Sequence, residues 1–192
     1  EPEGEADQTS PGPGIALRIV TKSLPSLELI AYLMEKAGTR RLMAFSEGML
    51  RALIDRFGSR VDILLGRPAP VEAAQRAFAD GRSATRNVRW LVDTKERLLE
   101  YKELADTLPH PLRIAVEIDV GMRRGGPRTV TELLEMLEIL ANHPGQLRFV
   151  GFMGYDGHVP FAPPGFDSDT EFAAVHDRYS TFVQAGMDAY PA

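Results

Sequence analysis

The feature that most constrains this chain is a strict alternation of texture. From Ile15 onward, short β-rich runs are each followed by an amphipathic run of about two to four helical turns. The spacing predicts strands over residues 15–21, 41–45, 61–65, 88–92, 112–118 and 147–153. Between them, apolar residues recur at helical spacing. Leu27, Ile30, Ala31 and Met34 form one stripe, closed by Gly38, and Pro25 is expected in the first turn of that helix. Leu50, Leu53, Ile54 and Phe57 form the next, with Ser46 as N-cap and Gly58 as stop. Further helices are expected up to about Phe78, from Thr94 to about Asp106, over 131–141 and over about 168–187. Residues 1–14 hold one Ala and no larger aliphatic side chain, and read as a flexible lead-in to a domain spanning 15–192.

Strands that alternate with helices are joined by crossovers, so they run parallel. The fold class is therefore α/β, either an open doubly wound sheet or a (β/α) barrel. The faces of the strands separate the two. Over 113–119 one face is Ile114, Val116 and Ile118, and the other is Arg113, Ala115, Glu117 and Asp119. In the fourth strand Trp90 and Val92 oppose Arg89, Leu91 and Asp93; in the first, Arg18 and Lys22 share a face against Leu17 and Ile19. Strands covered by helices on both faces read as nearly continuous apolar sequence. Charges confined to one face suit a barrel lumen, although an edge strand with one wet face would also carry them. A full barrel needs about 250 residues. At 192 residues and about six βα units, a parallel (β/α) barrel of the TIM type is expected to be incomplete, ending before its last strands.

Composition removes several functions. The net charge of −5 gives no footprint for nucleic acid or an anionic membrane. Without cysteine there are no disulfides and no zinc–thiolate site, which fits a cytoplasmic protein. No apolar run is long enough to span a bilayer, and the acidic first residues are unlike a signal peptide. The four histidines lack ligand spacing, so no metal site is expected here. No Gly-rich nucleotide loop is present.

Three stretches could carry chemistry, and each ends a predicted strand, where parallel α/β proteins place their reactive groups. Arg18-Ile19-Val20-Thr21-Lys22-Ser23-Leu24-Pro25 puts an amine at a βα loop, with Arg18 as a nearby cation that would favour the free base. A free amine forms imines with aldehydes, whereas a solvated loop lysine would do nothing. Glu117-Ile118-Asp119-Val120-Gly121-Met122-Arg123-Arg124-Gly125-Gly126 offers close backbone approach and two anion-binding forks, or a plain turn with solvated arginines. Gly151-Phe152-Met153-Gly154-Tyr155-Asp156-Gly157-His158 groups a ring, a carboxylate and an imidazole that could stack on a ring or move protons, or merely pack a turn.

Taken in order, VTKSLPS, DVGMRRGG and GYDGHV resemble fold-type III pyridoxal-phosphate enzymes, the alanine racemase N-terminal domain family, over about residues 15–191. They are closest to the D-threonine aldolase and D-serine dehydratase branch. The resemblance implies that Lys22 carries pyridoxal 5′-phosphate as a Schiff base, that Arg124 approaches its phenolic oxygen and that Tyr155 lies by its ring. It places Asp156, Gly157 and His158 along the substrate side. Catalytic roles then fall to Lys22, Tyr155 and His158, and cofactor contacts to Lys22, Arg124, Tyr155, Asp156 and Gly157. The implied activity is that of a lyase on a small D-amino acid, working as a homodimer. Amino-acid racemization and non-catalytic carriage of the cofactor are the alternatives, beside a plain α/β binding module. The branch carries a divalent metal in a C-terminal domain that has no counterpart in these residues.

Overall fold

The structure, a computed structural model, describes residues 15–24, 26–79, 86–160 and 165–190. The lead-in over 1–14 and the expected role of Pro25 lie outside the described residues. Among the described residues six strands alternate with six helices. They are β1 (Ile19–Val20), α1 (Leu27–Lys36), β2 (Arg41–Ala44), α2 (Glu47–Phe57), β3 (Asp62–Leu65) and α3 (Val71–Ala79). After these come β4 (Val88–Val92), α4 (Lys95–Ala105), β5 (Leu112–Ile118), α5 (Val130–Asn142), β6 (Leu147–Gly154) and α6 (Ser168–Ala189). The strands pair in sequence order, every pair parallel, and the sheet is open between β1 and β6. This is the incomplete parallel barrel expected from the alternation.

Helix starts follow their capping chemistry. The side chains of Ser26, Ser46, Thr94 and Asp167 each accept a hydrogen bond from a backbone N–H in the first turn of α1, α2, α4 and α6. At α5, Thr129 and Glu132 satisfy each other's backbone N–H in a full capping box. The outer face of the sheet is the core. Leu42, Ile63, Val88, Trp90, Ile114 and Val116 are at most 1% exposed beneath the helices, where Leu98, Leu133 and Leu137 meet them. Of the inner-face residues Leu64, Leu91, Ala115 and Glu117 are buried too, but the inner face opens with charge at the amino ends of the strands.

Two strands depart from a simple reading. The predicted first strand, 15–21, shrinks to two residues, because Thr21–Ser23 coil into a 3₁₀ turn. Thr21 is buried there and its Oγ1 donates to the Met43 carbonyl at 2.8 Å, so it caps β2 instead of extending β1. Lys22 accordingly projects from a turn, not from a strand face shared with Arg18. In β6 a bulge sets Val150 and Gly151 against Ala115, with Ile114 facing Phe149 and Val116 facing Phe152. Gly151 takes φ 125°, a conformation that side chains rarely adopt. The extra residue keeps both Phe149 and Phe152 on the helix side, their ring centroids 4.9 Å apart.

Candidate functional site

The three motifs all lie at the carboxyl ends of their strands. The loop after β5 folds back over its own strand. Asp119 Oδ1 accepts from the backbone N–H groups of Gly121 (3.0 Å) and Arg123 (2.9 Å), Arg123 takes a left-handed φ of 56°, and Gly126 follows at φ 93°. A Cβ on Gly126 would overlap the Glu117 carbonyl, so glycine is required where the loop crosses the strand. This return brings Arg124 onto Glu117: Nε donates to Oε1 at 2.7 Å and Nη2 lies 2.5 Å from the same oxygen. The Glu117 side chain is 3% exposed. Burial pushes its carboxyl above the usual range, against the downward pull of Arg124.

The other face of the same guanidinium lies over the Tyr155 ring, 4.6 Å from its centroid. Arg124 and Tyr155, predicted separately from two motifs, are thus in contact, and Glu117 is the member that motif reading missed. The loop after β6 fits closely around the ring. A Cβ on Gly157 would overlap Tyr155, and the Val159 N–H donates to the Asp156 carbonyl at 2.9 Å. The Tyr155 ring is over one-third exposed and the Arg124 side chain 16%, so both are reachable from outside.

His158 turns toward α6. Its Nε2 lies 3.2 Å from Glu171 Oε1, and Arg178 Nη1 donates to that oxygen (3.1 Å) and to the Val120 carbonyl (2.9 Å). Arg178 first, then His158, holds the Glu171 carboxyl below its usual range. The second imidazole nitrogen is buried without a partner among the described residues. Glu171 and Arg178 also escaped motif reading; they belong to a helix that reads as ordinary amphipathic sequence.

Lys22 is exposed, with its Nζ 4.9 Å above the Phe45 ring. It sits at the β1 edge of the sheet, while Arg124 and Tyr155 follow β5 and β6 at the other edge, so no direct contact joins them. Arg18, expected as its neighbouring cation, is instead committed to Asp62 and to the carbonyls of Leu42 and Asp62. A mostly apolar cavity of about 460 Å³ is bounded by Leu147, Arg148, Phe149 and Phe152 with Tyr190 at the end of α6; of the three motifs it meets Phe152 alone. Among the described residues no group of three His, Asp or Glu could hold a metal, and no helix is long and apolar enough to cross a membrane.

Comparison with known proteins places the fold. The family model of the alanine racemase N-terminal domain matches residues 8–189. The chain belongs to that family. No curated protein sequence matches it significantly. Among solved structures, alanine racemase from Oenococcus oeni aligns with a TM-score of 0.70 at 18% identity, covering 86% of this chain and 45% of that one. D-threo-3-hydroxyaspartate dehydratase from Delftia sp. HT23 aligns at 0.72 and 18%, covering 91% and 44%. Histidine racemase from Leuconostoc mesenteroides subsp. sake aligns at 0.66 and 15%, covering 85% and 42%. The chain therefore spans under half the length of each of these proteins.

Proposed function

We propose that this alanine racemase N-terminal domain is the cofactor-bearing part of a pyridoxal-phosphate enzyme acting on a D-amino acid, of the D-threonine aldolase or D-serine dehydratase type. The observation that carries the reading is Arg124, gripped by the buried Glu117 carboxylate on one side and stacked on Tyr155 on the other. A guanidinium held on two sides is a preorganised donor for an oxyanion on a flat ring. Lys22, at the same end of the sheet, presents an exposed primary amine, the group that condenses with an aldehyde. These residues fit the cofactor's functional groups.

Pyridoxal phosphate supplies an electron sink for a bond broken at the substrate's Cα. The chain's own residues do the rest. Lys22 would hold the aldehyde through its amine, and its Nζ, when free, would take or return a proton. Arg124 would hold an oxyanion of the bound ring through its remaining guanidinium N–H groups, and Tyr155 would pack beside it and exclude water. His158, fixed through Glu171 to α6, lines the substrate side. The aldolase and dehydratase type is preferred because VTKSLPS, DVGMRRGG and GYDGHV, taken in order, resemble that branch of the family.

The test is made on the full-length gene product. Addition of pyridoxal phosphate should produce visible absorbance and an adduct that borohydride fixes on Lys22, and Lys22→Ala should lose both. D-Threonine should release glycine and an aldehyde, D-serine a keto acid and ammonia, and D- or L-alanine the opposite enantiomer if the activity is racemization. Unchanged absorbance and adduct in Lys22→Ala would overturn the assignment.

A further inference from the structure

The amino ends of the strands, opposite to the cofactor end, carry an unusual charge pattern on the inner face. Arg89 of β4 is the register partner of Arg113 of β5, and Arg113 is the partner of Arg148 of β6. Three arginines therefore stand in one row across adjacent strands, about 4.8 Å apart at the backbone. Like charges directly opposite each other on neighbouring strands are destabilising. On the other side of the row Asp62 of β3 pairs in register with Arg41, and Arg18 reaches across to Asp62 from the residue before β1. Three guanidiniums, of Arg18, Arg89 and Arg113, contact this one carboxylate, and Arg41 and Arg148 stand at register positions in the same row, so five cations share it with one anion.

The single carboxylate serves one end of the row. Asp62 accepts from Arg89 Nε at 2.8 and 2.9 Å and from Arg18 Nη2 at 2.5 Å, and only one oxygen reaches Arg113, at 3.2 Å. Arg89 also donates to the carbonyl of Val150 in the β6 bulge. Arg113 has no other acceptor among the described residues, and Arg148 has none. Both retain most of the five N–H donors that a guanidinium carries. Arg113 is half-buried, and burial first, then its like-charged neighbours Arg89 and Arg148, pull its pKa down. A partly desolvated Arg113 beside an exposed Arg148, each with free N–H donors, is a donor set that binds planar or tetrahedral oxyanions.

We propose that the inner face at the amino ends of β5 and β6 binds one oxyanion, of the phosphate or carboxylate class, bridging Arg113 and Arg148 as Asp62 bridges Arg18 and Arg89. This site is distinct from the cofactor end: Arg113 lies four residues below Glu117 on β5, about 13 Å along the strand. It needs neither Lys22 nor Arg124, so its failure and that of the proposed function are separable.

Inorganic phosphate is the probe, compared with chloride at equal ionic strength in thermal unfolding of this chain. Phosphate is expected to raise Tm in proportion to the logarithm of its concentration above Kd, by about 5–10 °C at a hundredfold excess over Kd. Calorimetry should give one phosphate per chain in Lys22→Ala. Arg148→Gln, an exposed position whose loss leaves the core intact, and Arg113→Gln should each abolish the excess over chloride; in chloride alone Arg148→Gln should melt no lower than the parent, since it removes a repulsion and no ion pair, whereas Arg113→Gln also gives up its contact with Asp62. Lys22→Ala and Arg124→Gln should keep the phosphate effect. Equal stabilisation by phosphate and chloride would overturn the proposal. So would a phosphate effect that survives Arg113→Gln and Arg148→Gln but disappears in Arg124→Gln, because the ion would then be bound at the cofactor end.

Discussion

Replacing Asp62 by Asn tests how much of this fold rests on one carboxylate. Asp62 is about one-fifth exposed and accepts four charge-assisted contacts, from Arg18, twice from Arg89, and from Arg113. Asn is nearly isosteric, keeps one acceptor oxygen, and turns an N–H₂ toward guanidiniums that already repel one another. Removing one partner of a buried ion pair costs about 3–5 kcal/mol. Partial exposure puts Asp62 at the lower end, so about 3 kcal/mol is expected at pH 7. For a chain of this size that is a fall in Tm of about 6–12 °C, read by circular dichroism. The pH dependence has a definite sign. Burial raises the Asp62 pKa, but Arg18 and then Arg89 pull it down further, leaving it below the ordinary 3.8. The stabilisation is then fully present above about pH 4 and lost as pH falls through the lowered folded value. The two proteins should differ at pH 7 and converge in strong acid. Adding Arg89→Gln to Asp62→Asn should recover part of the loss, since residues in one charge network couple. A melting point for Asp62→Asn within 1–2 °C of the parent, about half a kcal/mol, would refute the reasoning, because the arginines would then be compensated by solvent alone.

Other outcomes follow from single contacts. Thr129→Ala removes one half of the capping box of α5 and should lower stability by about 1 kcal/mol in urea unfolding, whereas Thr129→Ser should lose little. Leu133, fully buried in the middle of the core, should cost about 2–5 kcal/mol as Ala, with an unchanged urea m-value. Gly157→Ala should displace the Tyr155 ring from Arg124; cofactor titration of the full-length protein should weaken severalfold while Tm moves by less than about 3 °C.

Much of the architecture was legible because the alternation of strand and helix is written in local periodicity. The bounds of β4 and β5 coincide with the predicted 88–92 and 112–118, where β-branched runs are bounded by turn and cap residues. The first strand was overextended because Val20 and Thr21 have strand propensity, and only the long-range bond from Thr21 to Met43 shows that the chain has already turned. Arg113, Ala115 and Glu117 were read correctly as one inner face, but alternation does not say that Arg124 returns to Glu117. That contact depends on left-handed backbone at Arg123 and Gly126. The contact from Arg178 to Val120, 58 residues apart, lies beyond any local pattern. The Arg18 expectation failed for a related reason: Asp62, 44 residues away, offered it a better partner than the lysine on the adjacent turn could.

The bulge at Val150–Gly151 works as a phase shifter for everything downstream. With two residues spanning one step of the neighbouring strand, Met153 is delivered opposite Glu117, its sulfur 4.0 Å from Arg124, and Tyr155 emerges two residues later above the same guanidinium. Deleting Gly151 would leave the composition of the strand almost untouched yet exchange inside for outside from Phe152 onward, sending a phenyl ring into the lumen and the sulfur into the helices. The aim of the aromatic ring at the mouth is set, five residues upstream, by a single unpaired step in the ladder.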